Sequence, residues 1–145
     1  MRTSQTGIDF IKAFEGLSLK PYFCSAGKAT IGYGSTFYPD GRKVKFTDGN
    51  ITQPEAERLL ADTIVPFENK VNRLITVPLT QNQFDALVSH TFNTGGSETL
   101  FRLINQRADI SLIEDWWCNR YVTANKKRLS GLVRRRKAEF NLYIS

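Results

Sequence analysis

Hydrophobic residues near the amino terminus recur at the spacing of a helix, which predicts one amphipathic helix there. The apolar residues with this spacing are Ile8, Ile11 and Phe14. We expect the helix to begin near Ser4 or Thr6, because Thr6 and Asp9 resemble a capping box. Gly16 is a favourable stop for the helix. Glu15 is therefore predicted to lie on its last turn or just past it.

Residues 18–50 have a different pattern, in which glycines separate short runs of β-type residues. Residues 29–31 and 43–46 are two such runs, and both are predicted to be strands. Residues 39–41, Pro-Asp-Gly, form a turn signal, because proline presets φ and glycine accepts a positive φ. The segment is therefore predicted to form a small antiparallel sheet.

From Thr52 onward the apolar spacing is helical again. Thr52 and Glu55 have the spacing of a capping box, which predicts a helix start. Pro66 lies inside the apolar stripe that follows and is expected to kink or split the helix. Thr80 is a favourable N-cap for the next helix. Further helices are predicted at about 81–92, 97–106, 110–120 and 131–143.

This order of elements predicts an α+β fold with a small antiparallel sheet lobe and a larger helical lobe. The 145 residues are expected to form one domain. Its parts are predicted as an amino-terminal helix and β lobe at 1–50, a connecting helix at 51–75 and a helical lobe at 76–145. A cleft between two lobes is the expected place for a ligand.

Composition narrows the class of protein. With 41% hydrophobic and 12% aromatic residues, the chain can bury a core. No apolar run reaches the ~18–20 residues that a membrane span needs, so we expect no stable membrane insertion. Residues 1–7 lack the pattern of a signal peptide. The net charge of +6 favours an anionic partner, which leaves nucleic acid, anionic lipid and an acidic wall polymer open.

Cysteine and histidine, the residues that bind zinc most often, are few and widely separated in the sequence. Cys24 and Cys118 are the two cysteines, and both are expected to be free thiols in a reducing cytoplasm. His90 is the one histidine, and neither a CxxC nor an HxxxH spacing occurs. We therefore expect no metal and no cofactor, and assign His90 no catalytic role.

Three residues could carry chemistry together. Glu15 places a carboxylate at the end of a helix, and Cys24 and Thr30 place a thiol and a hydroxyl on the adjacent sheet. The glycines at 32 and 34 would let a polymer approach the backbone closely.

In this pattern the sequence resembles the phage-type lysozymes, or endolysins, of glycoside hydrolase family 24. Their active-site motif is Glu, eight residues, Asp or Cys, five residues, then Thr, as in Glu15, Cys24 and Thr30. Further similar motifs lie at 14–16, 26–28, 30–34, 79–88, 92–93 and 131–136. The resemblance implies an endolysin that hydrolyses the β-1,4 bonds between N-acetylmuramic acid and N-acetylglucosamine in peptidoglycan, causing host lysis.

Roles for the three motif residues follow from the resemblance. Glu15 would be the general acid, and we expect partial burial by Phe14 and Tyr22 to raise its pKa. Thr30 would position the attacking water, which predicts inversion of the anomeric configuration. Cys24 takes the position of an Asp, and we expect its thiol to be mostly neutral, with a pKa raised by Glu15. Its role stays open between catalysis, including nucleophilic attack with retention, and packing.

Substrate-binding residues are expected on both lobes. On the sheet side they are Tyr22, Gly34, Ser35 and Thr36. In the helical lobe they are Phe92 and Asn93, although a core Phe92 and a helix-terminal Asn93 are the alternative. One of Trp116 and Trp117 is expected in the core. The basic run at 134–137 is expected to be a solvated face, from which one residue could pair with Glu139 or Glu15.

Two other classes of function remain. A lytic transglycosylase would also use one acid, but would form a 1,6-anhydro sugar. A catalytically dead wall-binding module, or a nucleic-acid binder, would fit the positive charge. The basic residues are scattered and no helix-turn-helix motif occurs, so we expect peptidoglycan and not nucleic acid as the partner. We expect a monomer, made in the host cytoplasm and released to the wall through a separate pore.

Overall fold

The computed structural model describes residues 1–124 and 126–145. The chain contains both helices and short antiparallel strands, so the predicted α+β class is confirmed. The helices are α1 Gln5–Glu15, α2 Gln53–Thr63, α3 Val65–Leu74, α4 Gln81–Thr94, α5 Glu98–Asn105, α6 Ile110–Cys118 and α7 Ser130–Ile144. The strands are β1 Ser18–Phe23, β2 Ala29–Gly32, β3 Thr123–Ala124 and β4 Lys127–Arg128.

The chain divides into two compact units. One unit comprises Ile8–Pro66 and is called the β unit here. The other comprises Met1–Gly7 and Phe67–Ser145 and is called the helical unit. The lobe boundaries predicted from the sequence remain a prediction.

The β unit contains the β1–β2 sheet and helix α2. Tyr22 pairs with Thr30 across the two antiparallel strands, and Phe23 pairs with Ala29. The sheet packs against α2 through an apolar cluster. Its buried members are Ile31, Val44 and Leu59, and the partly buried side chains of Ala29, Tyr38 and Ile51 pack against them.

The helical unit is built around α4, which is buried on nearly all sides. Residues 84–91 of this helix are all buried, polar ones included. Helix α7 packs along α4, and α6 contacts both α5 and α7. Trp117 of α6 is fully buried, whereas Trp116 is half-buried and has the Arg120 guanidinium 4.4 Å from its ring. The expectation that one tryptophan belongs to the core is confirmed.

Capping residues and proline in the sequence predicted most helix ends correctly. The Thr52 side chain accepts a hydrogen bond from the Glu55 backbone N–H, and Thr80 forms a capping box with Gln83. The helix predicted to be kinked or split by Pro66 is split at Ile64, since α2 ends at Thr63 and α3 begins at Val65, with Pro66 in its first turn.

Two local predictions are wrong. The Thr6–Asp9 capping box does not form, because α1 starts at Gln5 and the Ser4 hydroxyl accepts the Gly7 N–H at 3.2 Å. Residues 43–46 do not form a strand. Lys43 makes an isolated bridge with Phe37, and the next residue, Val44, turns into the apolar cluster of the β unit.

Candidate active site

Glu15 is the last residue of α1, where Gly16 with a φ of +70° ends the helix. Its side chain is half-buried. One turn earlier, Lys12 pairs with Glu57 of α2 at 2.5 Å and lies 5.5 Å from the centre of the Tyr33 ring. These contacts fix the end of α1 that carries Glu15 within the β unit.

The Glu15 carboxyl group lies against the backbone of Gly34. A Cβ atom at Gly34 would be 3.3 Å from Oε2 of Glu15, and the φ of Gly34 is +93°. A side chain at position 34 would therefore crowd the carboxyl group and strain the backbone. Gly34 was predicted to let a polymer approach the backbone closely. In the structure, the absence of a side chain at this position also leaves room for the Glu15 carboxyl group.

Cys24 follows β1 and begins a tight turn. Its N–H donates to the Lys28 carbonyl at 2.9 Å, and the Gly27 N–H donates to the Cys24 carbonyl at 2.8 Å. The backbone N–H groups of Lys28 and Ala26 hold the pKa of the Cys24 thiol below its usual value. The expectation that Glu15 would raise this pKa is wrong, because hydrogen bonds from the turn favour the thiolate.

Thr30 lies on β2, and only 3% of it is exposed. Its hydroxyl donates to the Lys28 carbonyl at 2.9 Å and also interacts with the Cys24 thiol. While the proton of the hydroxyl is directed to Lys28, the oxygen keeps its capacity to accept hydrogen bonds.

Tyr22 connects these groups electrostatically. Tyr22 is 38% exposed, and its partial burial raises the pKa of the phenol. Negative charge on Cys24 and on Glu15 raises that pKa further. Tyr22, Cys24 and Glu15 all belong to the β unit.

Ser35 and Thr36 differ in their surroundings. Ser35 is fully buried, and its hydroxyl lies 2.9 Å from that of Thr63, which itself donates to the Leu59 carbonyl. Ser35 must therefore be the donor to Thr63, and a buried, committed hydroxyl argues against the predicted substrate contact. Thr36 lines a cavity of about 210 Å³ together with Lys28 and other residues, which keeps it available for binding.

Phe92 and Asn93 belong to the helical unit, on the last turn of α4. Phe92 is half-buried and meets the ring of Phe67 edge-on, with a centroid distance of 5.4 Å. Asn93 is exposed, and its Oδ1 accepts a hydrogen bond from Nη2 of Arg136 at 2.8 Å. The helix ends at Gly95 in the left-handed conformation, which favours glycine.

A buried charge cluster in the helical unit was only partly foreseen. Arg135 and Arg136 are buried, so the expectation of a wholly solvated basic face is wrong for them. Both pair with the buried carboxylate of Glu139, as one alternative anticipated. Glu139 also accepts from Ser89 at 2.6 Å. The i,i+3 and i,i+4 spacing of the arginines to Glu139 was the signal for this cluster.

His90 lies beside this cluster and is fully buried. Burial, followed by the charges of Arg136 and Arg135, lowers its pKa to about 3. The ring stacks edge-on against Trp117 and Tyr121. His90 is thus a neutral core residue at physiological pH.

Neither a metal site nor a membrane helix is found in the described part of the chain. Across residues 1–124 and 126–145, no three or more His, Cys, Asp and Glu side chains are grouped to hold a metal ion. Within the same ranges, each helix is too short or too polar to cross a bilayer. Cys24 and Cys118 are both free.

Comparison with known proteins decides the family. Residues 12–139 match the family described as phage lysozyme. The chain belongs to the phage lysozyme family. It is therefore a glycoside hydrolase, and the matched range contains Glu15, Cys24 and Thr30.

Similarity to individual endolysins and to a muramidase domain supports this family assignment. An endolysin from Acyrthosiphon pisum secondary endosymbiont phage 1 is 37% identical over 100% of this chain and 99% of its own length. The structure of an endolysin from Escherichia coli O157:H7 phage FAHEc1 is 38% identical and has a TM-score of 0.85, covering 100% of this chain and 94% of that one. The muramidase domain of SpmX from Asticaccaulis excentricus is 31% identical and has a TM-score of 0.83, covering 99% of this chain and 98% of that domain.

Proposed function

We propose that this lysozyme hydrolyses the β-1,4 bond between N-acetylmuramic acid and N-acetylglucosamine in bacterial peptidoglycan, with Glu15 as the general acid. The observation that carries the proposal is the position of the Glu15 carboxyl group against Gly34, in the same unit as Tyr22 and Cys24. Glycoside hydrolysis needs an acid to protonate the leaving oxygen, and a half-buried carboxyl group beside partly exposed backbone suits that task.

Cys24 and Thr30 are proposed to hold the attacking water. In this proposal the Cys24 sulfur, whose pKa the N–H groups of its turn lower, accepts one proton of the water, and Oγ1 of Thr30 accepts a hydrogen bond from the other. The water oxygen attacks the anomeric carbon as the bond to the leaving oxygen breaks. The proton of Glu15 goes to that leaving oxygen, and the water proton goes to the sulfur.

This assignment predicts inversion, because water attacks the face opposite the leaving group. The alternative of nucleophilic attack by Cys24 would give a covalent intermediate and retention. Thr30 favours the first pathway, since its oxygen can accept a hydrogen bond from water next to the sulfur.

Glycan contacts are proposed for each unit by itself. In the β unit they are Tyr22, Gly34 and Thr36, and in the helical unit they are Phe92 and Asn93. Ser35 is left with a structural role, since its hydroxyl is buried and bonded to Thr63.

The biological setting is proposed from the endolysin relatives. The protein would act as a monomer on the wall of an infected bacterium, after synthesis in the host cytoplasm and release through a separate pore. Its positive charge would favour association with an acidic wall polymer over a neutral one.

The test is purified Glu15→Gln against wild type on isolated peptidoglycan. Glutamine has nearly the same shape but cannot donate the proton, so we expect kcat to fall by a factor of roughly 10² to 10⁴. Glu114→Gln, the same change at an exposed position on α6, is the matched control and should keep wild-type turnover. A Glu15→Gln variant with most of the wild-type activity would refute the role of Glu15.

A further inference from the structure

One hydrogen bond in the helical unit, which involves none of the proposed catalytic groups, joins a buried side chain to an exposed one. Arg136 on α7 is fully buried, whereas Asn93 on α4 is exposed. Nη2 of Arg136 donates to Oδ1 of Asn93 at 2.8 Å and to Oε2 of Glu139 at 3.1 Å. A buried cation therefore holds one end of an exposed amide.

Arg136 is itself held in place. Its Nε lies 2.8 Å from Oε1 of Glu139. Glu139 also accepts hydrogen bonds from Ser89 at 2.6 Å and from the Trp117 indole at 3.3 Å. Because these partners are buried, the guanidinium has little freedom to follow a movement of Asn93.

The chemistry of the guanidinium decides which way the amide faces. A guanidinium donates hydrogen bonds and cannot accept them, so the oxygen of Asn93 must face Arg136. The NH₂ group then faces the other way. In the described part of the chain it makes no hydrogen bond, so its two protons remain available.

We propose that Arg136 is a positioning residue that fixes Asn93 as a hydrogen-bond donor to the carbonyl oxygen of an N-acetyl group on the glycan. This inference rests on the proposed function, because it takes N-acetylated peptidoglycan as the substrate. A sugar hydroxyl can rotate to donate or accept, so it gains little from a donor of fixed polarity. A carbonyl oxygen only accepts, and a fixed donor suits it.

The test compares two substrates with the same glycan chain. Kinetics are measured on peptidoglycan, on the same wall after N-deacetylation, and on the deacetylated wall after chemical re-acetylation. Asn93→Asp keeps an oxygen for Arg136 but loses the donor, and Asn93→Ala loses both. Asn141→Asp, the same charge change at an exposed position on α7, is the matched control.

We expect both Asn93 variants to raise KM on the N-acetylated wall roughly 3- to 10-fold with little change in kcat, as for loss of one hydrogen bond in binding. On the deacetylated wall, Asn93→Ala should match wild type, and re-acetylation should restore the difference. Asn141→Asp should behave as wild type on all three substrates. Arg136→Lys should also raise KM on the N-acetylated wall alone, and the Asn93 variants decide the matter if Arg136→Lys does not fold.

An unchanged KM in the Asn93 variants would overturn the inference. An equal loss on all three walls would also overturn it, because Asn93 would then bind another acceptor, such as a stem-peptide carboxylate. Wild-type and Glu15→Gln reactions run in parallel separate the two proposals. If wild type is active and Glu15→Gln is not, a negative Asn93 result rejects this inference alone; if wild type is inactive, both proposals fail.

Discussion

The two cysteines show how the local environment sets the chemistry of one residue type. The N–H groups of Lys28 and Ala26 lower the pKa of Cys24. Burial, followed by the nearby charge of Glu114, raises the pKa of Cys118 to about 11. The thiolate is the reactive form of cysteine, so the two thiols should differ in reactivity.

We predict that iodoacetamide modifies Cys24 well before Cys118 in the native protein near pH 7.5. The measurement is the rate of alkylation of each cysteine-containing peptide by mass spectrometry. In concentrated urea, where both environments are lost, the two rates should converge. Equal rates in the native protein would show that the turn does not favour the Cys24 thiolate.

The sequence located Glu15, Cys24 and Thr30, because their spacing forms a motif, but it misjudged their surroundings. The pKa of Cys24 depends on backbone N–H groups whose direction is set by the turn at 24–28, which residue types alone do not specify. Ser35 appeared available for substrate, yet its hydroxyl is buried against Thr63. Burial of a small polar residue depends on the fold around it.

Among the elements, helices were predicted more reliably than strands. Thr52, Pro66 and Thr80 act within one or two helical turns, so their effects can be seen in the local sequence. Residues 43–46 have strand-like composition, but pairing depends on a distant partner, and Val44 is used in the apolar cluster instead. Strand propensity reports a tendency that tertiary contacts can override.

The capping box of α4 should contribute measurably to the stability of the folded chain. Thr80→Ala removes the hydroxyl that accepts the Gln83 N–H at 3.1 Å, so the variant should lose about 1 kcal/mol of unfolding free energy. Urea denaturation gives the difference. Thr76→Ala, an exposed threonine outside the helices, is the control and should be near wild type. Equal stability of the two variants would mean that the cap contributes nothing.

At the scale of the whole molecule, buried polar groups make stability depend on pH. The pKa of His90 is lowered from 6.5 to about 3 in the folded chain by burial and by two arginines. The unfolded chain therefore binds more protons between these values. The stabilising contribution of neutral His90 is present above pH 6.5 and is lost as the pH falls towards 3.

Unfolding free energy should consequently fall by about 2 kcal/mol between pH 7 and pH 5 through His90 alone. Urea denaturation at the two pH values measures the change. His90→Asn is expected to be less stable overall but to show a smaller difference between the two pH values. A variant with the same pH dependence as wild type would exclude His90 as the cause.

In the proposed mechanism, water held by Cys24 and Thr30 attacks while Glu15 protonates the leaving oxygen. Proton NMR of the new reducing end, recorded within minutes of adding enzyme to a soluble peptidoglycan fragment, tests this most directly. We predict a hydrolysed product that appears first as the α anomer, because a β-1,4 bond is broken with inversion. A β anomer would indicate attack by Cys24, and a 1,6-anhydro sugar would indicate a transglycosylase; either product would rule out direct attack by water with inversion.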